Sequence, residues 1–186
     1  MKVTRMLNAE QELVARFLAV LGRGLVIAGS SKSGRPGFFL YASNFIREYL
    51  EPDYLMKEEV LLKALEDAGF PPDEGPVGGM RSEHEKSQEI SAMLFDAAKA
   101  WQAGDEAGRA EVIWATSEYT ELMRHHFERL KNLIHPLLEQ TVTEEGEQRI
   151  AGALNRIEFA DRETATPDKY AKIVEMLEEE VKDWAR

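Results

Sequence analysis

Apolar positions recur at helical spacing along nearly the whole chain, and strand-like alternation is scarce. Met6, Leu7, Leu13, Val14, Phe17, Leu18 and Leu21 predict a first helix from about Thr4 to about Ile27. The Gly- and Ser-rich stretch 29–37 reads as a loop. A second helix is expected from near Phe38, with Phe39, Ala42, Phe45, Ile46, Tyr49 and Leu50 facing inward. Pro52 should kink or break it, because proline lacks an amide proton and its ring collides with the preceding turn. Helix resumes through residues 58–65 and stops at Gly69, a residue suited to a left-handed cap.

Pro76 stands at the expected first position of a third helix reaching about Ala103, with Met80, His84, Ile90, Met93, Leu94, Ala97 and Trp101 inward. Asp105 can cap a fourth helix to about Glu139, burying Ile113, Ala115, Tyr119, Leu122, His126, Leu130, Leu133 and Leu137, with a local bend at Pro136. Thr141 to Glu144 reads as a capping box opening a fifth helix to about Phe159. Thr166-Pro167 then opens a sixth, through Tyr170, Ile173, Leu177 and Val181. Four long helices with short links predict an all-α fold, an antiparallel up-down four-helix bundle over residues 4–139. Two additional C-terminal helices, over residues 143–185, pack across its outside or end, and residues 1–186 form a single domain.

Charge narrows the partners. A net charge of −11 without a Lys/Arg run argues against a nucleic-acid phosphate backbone. With no cysteine there is no disulfide, thiolate metal site or cysteine nucleophile. Glu10, Glu12 and Arg16 interrupt what would be the apolar region of a secretory signal. The apolar runs at 18–22 and 25–29 read as too short and broken to span a bilayer, so a cytoplasmic protein that binds no membrane is expected. A small ligand, a protein partner and a homodimer all stay open.

The candidate chemistry lies with two histidines at inward positions. His84 closes the segment from Gly75-Pro76 to Glu83-His84, and His126 follows Tyr119 to His125. Both segments resemble the hemerythrin-like, or HHE cation-binding, family, and the resemblance extends over almost the whole chain. It implies a four-helix bundle with a non-haem di-iron centre held by histidines and carboxylates on all four helices. Glu10-Gln11-Glu12-Leu13-Val14 occupies the family's first-helix segment, which places Gln11 in a histidine slot. Counting forward from Phe45-Ile46-Arg47-Glu48-Tyr49 puts Tyr54 and Glu58 in the second-helix histidine and glutamate slots. Counting back from Lys63-Ala64-Leu65 gives Asp53 and Lys57 instead, so two registers stand open. His84 and His126 fill the third- and fourth-helix histidine slots, whereas Leu130 stands where the family has a glutamate.

Those departures set the functional expectation. Leu130 cannot coordinate, Gln11 is at best a weak neutral ligand, and two irons need more negative charge than Glu58 and a Tyr54 phenolate supply. The leading expectation is a hemerythrin-like protein whose dinuclear iron site is degenerate, with a non-catalytic sensory, small-ligand-binding or interaction role. The alternative is a mononuclear redox or storage site for one iron, manganese or zinc, using His84, His126, Glu58 and Tyr54 as metal ligands. An enzyme handling oxygen or peroxide is the weakest of the readings. His125 is expected to point away from the interior, and His135 to be a helix-terminal residue favoured by the dipole. Trp101, Trp114 and Trp184 read as packing residues, and the acidic stretch 175–180 as a solvated helix face.

Overall fold

The structure is a computed structural model describing residues 7–30, 34–162 and 167–184. The expected start at Thr4, the inward Met6 and the opening Thr166 lie outside the described residues. Every regular element described is helical. Helix α1 spans Asn8–Ser30 and α2 Pro36–Phe45. A π-helical segment, Ile46–Tyr54, joins α2 without a break to α3, Leu55–Asp67. Helix α4 is Gly75–Gln102 and α5 Glu106–Arg129. A second π-helical segment, Leu130–Ile134, leads into α6, His135–Thr141. Helices α7, Glu144–Arg162, and α8, Pro167–Trp184, complete the chain.

Local chemistry accounts for most of these ends. Pro36 fixes the start of α2, two residues before the expected one, because its ring presets a helical φ. Gly69 ends α3 with φ +101°, and Asp105 accepts the Ala107 amide at 2.9 Å to cap α5. The cap of α7 is Thr143, which accepts the Gly146 amide at 3.2 Å, and not Thr141, whose hydroxyl donates back to the Leu137 carbonyl.

Pro52 does not break its helix; it lies inside the first π-helical segment. At α-helical spacing the Glu48 carbonyl would face the missing amide of Pro52. Here Tyr170 Oη, on α8, donates to that carbonyl at 3.0 Å. Likewise, Pro136 is preceded by the second π-helical segment, where a bend was expected.

Helices α4 and α5 form the most extensive pair, α2 packs on α4, and α1 packs on α5. Helices α1 and α2 touch each other little, and α8 packs against both along that seam. Helix α7 lies on α3. Gly24 permits the close approach of α1 to α2, since a Cβ there would sit 2.4 Å from Phe38 Cε1. Two inward expectations fail, because Met93 is 44% exposed and Leu133 38%, and Trp114, read as a packing residue, is 52% exposed. The apolar runs read separately in the sequence join into one helix. Glu10–Ser30 is long and apolar enough to cross a bilayer by length and composition, and in this structure it packs along the bundle.

The core has two parts. An aromatic part stacks Phe17 on Phe45 at 4.3 Å and Tyr49 on Tyr170 at 4.5 Å between ring centroids. An aliphatic part gathers Leu61, Leu62, Leu65, Leu130, Ile134 and Leu138. Phe127 packs against both.

A candidate metal centre between α3, α4 and α5

Three helices deliver one polar group each into the bundle. Glu58, in the first turn of α3, is completely buried, and His126, in the last turn of α5, is 1% exposed. His84, on α4, is half-buried. Glu58 Oε2 lies 3.0 Å from His84 Nε2 and 2.8 Å from His126 Nε2, and the two imidazole rings are 5.1 Å apart. One ligand atom from each of the three residues falls within 4.8 Å of the others.

The second nitrogen of His126 is also engaged. Nδ1 faces Glu83 Oε2 at 3.0 Å, and Arg129 holds the other oxygen of Glu83 at 3.1 Å. With carboxylate oxygens on both sides, both ring nitrogens donate, and the ring carries a proton on each. Burial opposes that charge, but Glu58 and Glu83 outweigh it and lift the His126 pKa to about 9. Burial also opposes the Glu58 carboxylate. The His126 charge and the hydrogen bonds from both histidines prevail, and its pKa falls to about 2.

Cation binding requires only that a metal replace the protons between Glu58 and the histidines. Glu58 Oε2 already lies 3.0 and 2.8 Å from the two imidazole nitrogens, so the residues that would hold an ion converge without rearrangement of their helices. The pairing of Glu83 with His126 Nδ1 leaves Nε2 as the ligand atom and orients the ring, as carboxylates do behind metal-bound histidines. Glu83 and Arg129 were not singled out in the sequence, although Glu83 directly precedes His84.

The structure separates the two second-helix registers. Glu58 faces the histidines, whereas Lys57 turns to Glu10 at 2.9 Å and to Asp53 at 2.9 Å, forming a separate ion-pair network between α1 and α3. Tyr54 is fully buried, with its ring 5.8 Å from Phe127, and among the described residues neither its hydroxyl nor Glu58 Oε1 meets a partner at full hydrogen-bond geometry. Burial, reinforced by the Glu58 charge, raises the phenol well above its usual pKa, so without a metal it stays protonated. Gln11 is half-buried, and the hydrogen-bonding influence of its side chain on the Tyr54 hydroxyl works against that rise. Leu130 is buried in the aliphatic core and supplies no donor.

Of the remaining histidines, His125 is exposed and pairs with Glu121 at 2.8 Å, as expected of an outward residue. His135 corrects the helix-terminal expectation. It opens α6 instead of closing a helix, its Nε2 is buried with no hydrogen-bond partner among the described residues, and burial lowers its pKa.

Comparison with curated proteins finds no match, and neither does comparison with solved structures. Residues 3–138 match the family model described as the hemerythrin HHE cation binding domain, a span reaching from α1 into α6 and including every residue of the centre. The chain therefore belongs to the hemerythrin HHE cation-binding family.

Proposed function

We propose that the protein binds a single first-row transition-metal ion, iron foremost, through Glu58 Oε2, His84 Nε2 and His126 Nε2. The observation that carries this reading is the convergence of those atoms within 4.8 Å in a buried position. Two imidazoles and one carboxylate suit iron, manganese or zinc. Such an ion would supply Lewis acidity and, if iron or manganese, one-electron chemistry. The chain's own residues do the rest. Glu83 fixes the His126 ring, the two parts of the core exclude water, and Tyr54 stands beside the carboxylate as a protonated phenol. The reading is of a cytoplasmic, non-catalytic protein that holds or senses a metal.

A second reading, the metal-free sensory bundle, draws support from the same contacts. Protonated His126 already neutralises Glu58, so the folded chain does not require an ion to balance the charge of its buried carboxylate. Anaerobic titration of the purified protein with Fe(II) and Zn(II), read by calorimetry and metal analysis, separates the two. Saturation near one ion per chain, abolished in Glu58→Gln and in His126→Gln, supports the metal-binding reading. No uptake at micromolar metal leaves the metal-free one standing.

A further inference from the structure

Helix α7 and the outer face of α3 enclose a half-open groove of about 550 Å³, within the size range of small-molecule sites. Its floor is apolar: Val60 and Ala64 from α3, Val142 from the link, and Ile150 and Ala153 from α7. Its rim is charged, and most of those charges are already paired. Arg81 holds Glu59, while Lys63 pairs with Glu66 at 2.6 Å and with Asp67 at 3.5 Å. Arg149 and Arg156 differ. Both line the groove and are exposed, and neither makes a hydrogen bond or an ion pair among the described residues. Seven residues apart on α7, they share a helix face ~10 Å from one another along its axis, with Ile150 and Ala153 between them.

Two guanidinium groups with no ion pair among the described residues, beside an apolar floor, stand out on a chain of net charge −11. With Lys63 paired to Glu66 and Asp67, anion selectivity in this groove falls to these two side chains. We infer that this groove binds an anionic amphiphile, a medium- to long-chain carboxylate. Its hydrocarbon tail would lie on Val60, Ala64, Ile150 and Ala153, and its head group would be held by Arg149 or Arg156. Glu58 projects from the opposite, inward face of α3, so the groove is separate from the metal centre and does not depend on the metal-binding reading.

Dodecanoate below its micellar concentration is the probe. It should displace the apolar anion 1-anilinonaphthalene-8-sulfonate from the full-length protein and bind saturably by calorimetry. Affinity should fall along the series to hexanoate as buried methylenes are lost. The double variant Arg149→Gln/Arg156→Gln should bind ~10-fold or more weakly, the loss expected for one charge-assisted hydrogen bond. Each single variant then assigns the head group to one arginine. Ala153→Trp, which fills the floor, should abolish binding, with circular dichroism confirming that the helices persist. Equal affinity for dodecyltrimethylammonium, or unchanged binding in both the double variant and Ala153→Trp, would overturn the inference. So would a dimer that binds no dodecanoate and dissociates in Ala153→Trp, because the groove would then be an interface between copies.

Discussion

His126 and Glu83 are joined through the nitrogen that faces away from the centre, Nδ1 to Oε2 at 3.0 Å, while Nε2 points at Glu58. Glu83 is therefore a positioning residue: it fixes the ring and leaves Nε2 as the ligand atom. Glu83→Gln keeps the size of the side chain and should lower metal affinity ~10- to 100-fold, the range for partners behind metal-bound histidines. A competition titration against a chromogenic chelator measures it, and unchanged affinity would remove Glu83 from the site.

The metal-free protein should lose stability as pH rises through about 9. His126 has its folded-state pKa raised from 6.5 to about 9, so its contribution is complete below 6.5 and disappears above 9. Glu58, lowered from 4.5 to about 2, contributes fully above 4.5 and loses its share as pH falls through 2. The two titrate as a pair, so their contributions do not add. Urea midpoints should be highest between these windows and decline toward pH ~9.5, and His126→Gln should flatten the alkaline limb. Metal affinity should move oppositely, rising with pH until His126 has lost its proton.

Restoring the family's residues should add metal capacity. The triple variant Gln11→His, Tyr54→His, Leu130→Glu puts donors back at the three family positions, and Glu58 Oε1, which has no hydrogen-bond partner among the described residues, is free to share a metal with them. Without metal this variant should be less stable, because the carboxylate introduced in place of Leu130 would lie in the aliphatic core. With Fe(II) it should recover stability and take up a second ion. Metal content equal to that of the parent, with the fold intact, would mean that the first π-helical segment sets the second-helix ligands out of register.

Lys57 supports the architecture rather than the centre. It is 3% exposed and pairs with both Glu10 and Asp53. Lys57→Met should cost ~3–5 kcal/mol by removing the buried cation that Glu10 and Asp53 share. Replacing all three residues with apolar ones of similar volume should recover much of that loss. Urea denaturation of both variants provides the test, with metal stoichiometry unchanged in each.

The helices could be read from the chain because 3.6-residue periodicity, prolines at helix starts and Gly69 are local signals. Two features depended on contacts distant in sequence. The first is the survival of the helix at Pro52, where the donor to Glu48 comes from Tyr170, 122 residues away. The second is the choice between the two registers on the second helix. An α-helical count cannot decide it when π turns intervene, since each holds about one more residue than an α turn. The role of Glu83 was within reach, for a glutamate beside an inward histidine is a signal; its direction toward His126 on another helix was not.

The two π-helical segments also give the chain a specific tolerance to changes in length. A π turn absorbs an extra residue while the flanking helix faces keep their phase. Removing the exposed Arg47 from Ile46–Tyr54 should therefore draw that stretch toward α-helical pitch and leave Glu58 pointing inward. Helix α4 has no such slack. Loss of Gln88, also exposed, would turn His84 by about 100° against the buried face that follows it. Single-residue insertions and deletions should thus be survivable on the second and fourth bundle helices beside these segments, and damaging on the helix that carries His84.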